Sequence, residues 1–538
     1  MWSSVLRRWA GYIFAFFAGL AFTLWLVPRG LLFPVNYYDV AAVDDTADHI
    51  IGQRYFLLDQ WRHPLLKTAL LRWPQGTNIA LSDSIPLLAI PAKLLKRYLP
   101  PGFHSIFWFL ALAWCLQPVA AVFALRSTGE KRLLPALAVV VIALSMPTLL
   151  YRGLRPHESL CGHFLVLAAI GLYFRISRGS NWPAWLAAPA LLVVSLLIHP
   201  YLLAMVAAVL MAAPISLLVR RDARRLPVSM AFLAAMALVG SLAYVLGYAE
   251  EVGVGHGYGL YAMNLMAPVE LAGSALIPFF SAPIAASRTT YEGYQYLGLG
   301  VLLLCLVAVA RVRVRLPKRA CVRHSGLLFV SLGLVIFALS NNVYDGSVLI
   351  FHYEHVPRFF NSFRSSGRFF WPVAYLLVIA SVVTVARRFS FKAAMAILLI
   401  AAGLQFVDAT SLRLQLRDHL RRPVPWHIDR QALGALMERS DRVTLWPRFE
   451  CFGNVLLDPQ YLQVLLLASQ YRLRTNTMYT PNPKVIGPCN AADVIGTPWE
   501  AGELRVILPF PQFDEVHPPN FREGCRPVGH LTACRMPR

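Results

Sequence analysis

Apolar residues along this chain come in long runs broken by short polar loops. Runs such as ALAVVVIALSMPTLL and SGLLFVSLGLVIFALS have the length of membrane spans. A span needs about 20 mostly apolar residues, and lipid, which offers backbone groups no partner, forces those residues into a helix. The pattern predicts eleven spans, near 10–27, 105–125, 133–150, 159–175, 183–200, 202–219, 228–248, 297–310, 325–340, 371–386 and 392–407. The expected fold is an all-α polytopic membrane protein followed by a mixed α/β domain.

The first run follows Arg7 and Arg8, and no small-residue cleavage site precedes Pro28, so it reads as an uncleaved span. The segment DSIPLLAIPAKLLKRYLPPGF is too short in its apolar part and carries Lys93, Lys96 and Arg97. It reads as an interfacial or re-entrant helix on the outer face. After the last span the chain turns polar, with Pro-rich punctuation and strand-like stretches such as DRVTLWP and LRVILPF. The expected organisation is a transmembrane region over 1–407, with a first outer loop over 28–104, and a soluble domain over 408–538.

Composition supports the membrane reading. The chain is 57% hydrophobic and only 14% charged, against about 25% charged residues in soluble domains. Its net charge of +22 does not point to nucleic acid. The basic residues sit in short loops between apolar runs, as in RRDARR and RVRVRLPKR. Such loops face the cytoplasm, and with the N-terminus inside each basic loop falls on that side. The soluble domain then lies outside. Cys451, Cys489, Cys525 and Cys534 all fall in it, and an even set there predicts two disulfides with three pairings open.

Carboxylates are scarce on the inner side and cluster outside. In VDDTADHIIGQRYF a helix starting near Val43 pairs Asp44 with Asp48 and Asp45 with His49 at i,i+4. Crowded carboxylates raise one pKa and an imidazolium lowers another, which suits a general base or a divalent metal site. Aspartates in a first helical turn also favour the macrodipole. Glu158 and Glu292 are further acid or metal candidates. In NSFRSSGRFFWP, Arg364 and Arg368 flank Ser365, Ser366 and Gly367 at the mouth of a span, a set that suits a phosphate. YRGLRPHESLCGHF adds Arg152, Arg155, His157 and His163 as headgroup or metal candidates, and His199 lies at another outer boundary. The Gly- and Tyr-rich loops VGHGYGLYAMNL and TTYEGYQYLGLG offer Tyr258, Tyr291 and Tyr294 for packing around a sugar. No Walker motif, nucleophile elbow or HExxH is present.

The layout resembles the GT-C class of membrane glycosyltransferases, in which a first span leads into an outer loop that opens with an acidic motif. Within that class DHIIGQRYF, WPQGTNIALSDSIPL, RPHESLCGHFLVLAAIGLYF, GYGLYAMNLMAPV, YEGYQYLGLG and FRSSGRFFWP are similar to segments of a bacterial family of multi-pass proteins. The resemblance implies an inverting transfer from a polyprenyl-phosphate-linked sugar to an envelope glycan, lipid or protein at the outer face of the inner membrane. It places Asp44 or Asp45 as catalytic base or metal ligand, and Arg364 and Arg368 at the donor phosphate. Two other readings stay open. A transporter or flippase of lipid-linked saccharides favours internal repeats and ionisable residues deep in spans. A non-catalytic envelope protein would use the tail to hold a partner.

Overall fold

The computed structural model describes residues 2–33, 44–155, 157–179, 183–248, 257–278, 292–312, 318–452, 458–480, 489, 498–509 and 524–535. It divides into two compact units. One comprises Met1–Pro28, Phe109–Ser241 and Val254–Leu420; the other comprises Arg29–Trp108, Leu242–Gly253 and Arg421–Arg538.

Among the described residues, eight helices are long and apolar enough to cross a membrane. They are Trp9–Leu26, Ile106–Ser127, Leu133–Leu154, Glu158–Arg178, Pro200–Val219, Arg225–Val245, Ser366–Arg388 and Phe391–Asp408. The chain is a multi-pass membrane protein. The count of eleven spans is corrected here: the remaining three runs form the shorter helices Leu186–Ile198, Leu299–Arg311 and Ser325–Leu339. Ser325–Leu339 has 15 residues, a rise of about 22 Å against a hydrocarbon core of about 30 Å. It stops at Ser340, whose φ of 62° leaves helical space.

The first unit keeps many apolar residues on its outside and holds several polar pairs within. Met230, Leu233, Phe329, Leu332, Leu399 and Ile400 are exposed, as expected of side chains that meet lipid. Inside, Tyr173 Oη meets His324 Nδ1 at 2.9 Å and Ser216 Oγ at 3.2 Å. Gln405 Nε2 donates to Ser145 O and Leu297 O, both at 3.1 Å. Asp408 accepts from Tyr296 Oη at 2.7 Å and Leu299 N at 3.0 Å. With no water to compete, such bonds hold apolar helices in one register.

The second unit is mixed. Five strands, β1 (Arg442–Trp446), β2 (Arg474–Thr475), β3 (Glu503–Ile507), β4 (Cys525–Val528) and β5 (Leu531–Arg535), form one sheet in the order β2-β1-β3-β5-β4. β1 is parallel to both β2 and β3, while β5 is antiparallel to β3 and β4. The helix Pro459–Gln470 crosses over between β1 and β2, as parallel neighbours require. Cys451 is bonded to Cys489, and Cys525 to Cys534.

The first outer loop is part of this unit. Trp73 N donates to Thr475 O and Thr475 N to Leu70 O, each at 2.8 Å, so the loop occupies the free edge of β2 and leaves that edge covered. Arg72 Nε reaches Glu450 Oε1 at 2.7 Å, with both side chains buried. The loop also carries the helix Pro86–Leu94, whose nine residues are too few to span.

Candidate functional site

Two buried clusters gather most of the candidate side chains. The first lies in the second unit, on the helix Asp44–Leu58. That helix begins at Asp44 with φ 56°, a left-handed conformation that aspartate enters more readily than most residues. Asp44 is exposed, Asp45 half-buried and Asp48 only 3% exposed. Burial drives the Asp48 carboxyl well above the usual carboxylate range; His49 pulls it down, and Asp45 and Asp83 push it further up. Its Oδ1 is buried with no hydrogen-bond partner among the described residues. A buried oxygen in that state is costly unless a ligand, ion or proton serves it.

Asp83 arrives from the segment that packs on this helix. It caps the short 3-10 turn Ile79–Ser82 with a φ of 49°, its N–H bonded to Ile79 O. Ser84 Oγ donates to His49 O at 2.8 Å, and Gln53 Nε2 to Ser84 O at 3.0 Å. The approach requires Gly52: a Cβ there would stand 2.1 Å from Ser82 Oγ and 2.3 Å from Ser84 Oγ. The result brings Asp83 Oδ2 to 3.9 Å from His49 Nε2. Tyr461, fully buried, is within the field of Asp48. Its Oη donates to Thr477 Oγ1 at 2.8 Å, because that hydroxyl gives its own proton to Glu450 Oε2 at 2.9 Å. Another face of the same helix borders a cavity of about 540 Å³ edged by Arg54, Lys96 and Arg472. Chemically, the acid cluster can exchange a proton at Asp48. Asp83 also brings a carboxylate oxygen to 3.9 Å from an imidazole nitrogen of His49, two atom types that can ligate a cation.

The second cluster lies in the first unit and centres on Glu292. Its Oε2 accepts from Arg152 Nη1 at 2.7 Å and from Arg368 Nε and Nη2 at 2.9 and 2.7 Å. His157 Nε2 stands 3.2 Å from Oε1. Burial alone would raise the Glu292 carboxyl, but Arg152, Arg368 and His157 outweigh it and hold it well below the usual range. Arg152 lies in the last turn of the helix Pro147–Leu154. Arg368 sits in the 3-10 turn Ser366–Phe370 at the head of the helix Trp371–Arg388. That turn is pinned by Gln295 Nε2 to Gly367 O at 2.8 Å, Gly367 N to Tyr261 O at 3.1 Å and Ser365 N to Tyr201 Oη at 3.0 Å. Two guanidiniums meet on one carboxylate oxygen, a charge-assisted arrangement that holds both side chains in place.

The other candidates are dispersed. Arg364 does not join Arg368 on Glu292; it is exposed, with its guanidinium 5.5 Å from the Tyr261 ring. The chain bends between the two arginines instead of running as a helix. Arg155 is exposed over Tyr151 at 5.6 Å. Glu158 is buried at the start of a 3-10 turn. His163 is fully buried and bonded to Tyr375 Oη at 2.8 Å. His199 Nδ1 accepts from Tyr201 N at 3.0 Å, capping the helix Pro200–Val219. Tyr258 Oη donates to Phe337 O at 3.1 Å, and Tyr294 Oη to Ala272 O at 2.7 Å. Tyr291 lies outside the described residues. Asp83 and Tyr201 were not among the candidates, and no local sequence signal marks either.

The chain belongs to the family described as a domain of unknown function, DUF6311, whose match runs over residues 16–410. No curated protein matches it. Among solved structures it is similar to the crystal structure of the Archaeoglobus fulgidus oligosaccharyltransferase, tethered to an acceptor peptide through a disulfide bond, with 12% identity and a TM-score of 0.45. That alignment covers 88% of this chain and 64% of the other, so the chain spans less than two thirds of that enzyme's length.

Proposed function

We propose that this DUF6311 chain is a membrane glycosyltransferase of the GT-C kind. In this reading it moves a sugar from a polyprenyl-phosphate-linked donor to a cell-envelope acceptor at the outer face of the bacterial inner membrane. The N-terminus is cytoplasmic and the tail 408–538 lies outside. The observation that carries the reading is Asp48, a buried carboxyl with a raised pKa and an unpartnered oxygen, on the acidic helix that opens the first outer loop. A base works best when its pKa approaches the operating pH, and burial moves Asp48 in that direction.

The chemistry is an inverting displacement. The acceptor's hydroxyl oxygen bonds to the anomeric carbon, and the bond from that carbon to the phosphate oxygen breaks with its electron pair. The hydroxyl proton passes to a carboxylate of the acid helix, Asp48 or its neighbours Asp45 and Asp44. Arg152 and Arg368 are the groups suited to the donor phosphate, since charge developing on a leaving phosphate is stabilised by fixed guanidiniums. A divalent cation, if held by the acid helix, would supply Lewis acidity.

The test uses protein reconstituted in lipid, a panel of radiolabelled polyprenyl-phosphate sugars and envelope extract as acceptor. Asp48→Asn should lower transfer about 100-fold or more. Full transfer by Asp48→Asn but not by Asp44→Asn/Asp45→Asn moves the base to those residues. No transfer by the wild type across the panel, with donor binding retained, would sink the enzyme and favour a transporter.

A further inference from the structure

A groove of about 970 Å³ opens in the first unit. Its walls come from three helices, Trp9–Leu26, Ile106–Ser127 and Glu158–Arg178, with Arg126 and Arg175 near the ends of the last two. Trp9, Tyr12, Phe123 and Phe164 make it aromatic; Arg126, Lys131 and Arg175 make it cationic; none of its lining residues is acidic.

The arginines are not all spent on the protein. Arg126 Nη1 donates to Lys131 O at 2.6 Å. Its Nε and Nη2 are buried and have no hydrogen-bond partner among the described residues. Nη2 abuts the first helix, 2.9 Å from where a Cβ on Gly11 would stand. Arg175 stacks its guanidinium 4.6 Å from the Phe123 ring and reaches Ser127 Oγ at 3.3 Å. The acid of this region, Glu130, is turned to Arg132 at 2.6 Å and Arg387 at 3.7 Å. Snorkelling arginines at a span end ordinarily find water or headgroups. Three basic side chains and no acid line one aromatic slot of membrane depth, a combination that suits an anion with an apolar body attached.

We propose that this groove is a binding site for an anionic glycerophospholipid of the adjacent leaflet, its phosphate on Arg126 and Arg175 and its acyl chains along Phe123, Phe164 and Trp9. Basic pockets between spanning helices take phosphate headgroups for the same electrostatic reason. The site is independent of the transfer chemistry and stands whether or not that reading holds.

The experiment places delipidated protein in phosphatidylcholine nanodiscs doped with phosphatidylglycerol and reads bound lipid by native mass spectrometry. Wild type should retain one phosphatidylglycerol under activation that strips phosphatidylcholine. Arg126→Gln/Arg175→Gln should lose that lipid at least tenfold, and Arg388→Gln, an exposed arginine outside the groove, should keep it. Ala120→Phe fills the groove while leaving every charge in place. It should also lose the lipid, and it decides the matter if the double variant fails to fold. Equal phosphatidylglycerol occupancy in wild type and Ala120→Phe overturns the proposal. So does equal retention of glycerol 1-phosphate, which carries the headgroup chemistry without chains.

Discussion

Asp48 and Glu292 are both buried carboxyls, 3% and 4% exposed, and their surroundings push them in opposite directions. Around Glu292 two guanidiniums and an imidazole outweigh desolvation, so the group is a fixed anion. Around Asp48 desolvation prevails and two further acids add to it, so the group is one that trades a proton. Burial by itself therefore says little about what a carboxyl does; the sign of its neighbours decides. Glu292 is suited to hold two arginines in place for an anion, and Asp48 is suited to proton transfer.

Removing the anion should break that contrast most severely. Glu292→Ala removes the buried carboxylate that Arg152 and Arg368 share and should cost about 3–5 kcal/mol, measured as a large drop in Tm in detergent. Arg368→Met in the same background should recover part of it. Next in size is the support of the acid helix. Gly52→Ala forces a methyl onto Ser82 and Ser84 and should cost about 1–3 kcal/mol, with loss of transfer if Asp83 moves away from His49.

Smaller and more diagnostic are the pH profiles. Asp48 has a folded pKa above its unfolded value, so its contribution to stability is fully present below the ordinary aspartate range and is lost as pH rises through the raised value. Glu292 has a folded pKa below its unfolded value, so its contribution is present above the ordinary glutamate range and is lost as pH falls through the depressed value. Chemical denaturation across pH should show Asp48→Asn abolishing the loss at high pH and Glu292→Gln abolishing the loss at low pH. The same slope in both variants would erase the distinction. The smallest effect belongs to Arg364→Ala. An exposed side chain should shift stability by about 0.5 kcal/mol or less, and a severe loss of donor binding in that variant would place the phosphate on Arg364 instead of Arg368.

The apolar runs were legible because lipid demands them: each of the eleven lands on an apolar helix, and only the span-length requirement removes three. The start of the acid helix was legible to within one residue. Convergence was not. Arg152, His157, Glu292 and Arg368 were each singled out, but Glu292 lies 140 residues from Arg152 and 76 from Arg368, and spacing carries no trace of such a meeting. His163 shows the opposite failure. It looked like a boundary residue open to a headgroup or a metal, while Gln117 and Tyr375, neither marked by any motif, close it into the helical core. Four cysteines in the tail signalled two bonds; which pairs they form depends on the turn between β4 and β5 and on Pro-rich chain that pattern reading does not resolve.

The bond between Arg72 and Glu450 also sets a clock. The partners are 378 residues apart. At about 5–20 residues per second of synthesis, Arg72 is made roughly 20–75 s before the carboxylate it needs. During that interval the loop that carries the acid helix has no β2 edge to lie against and no counter-ion for a guanidinium destined for the interior. Assembly of the second unit is thus gated by the last quarter of the chain. A ribosome stalled before Glu450 would leave every spanning helix made and the acid helix without its support.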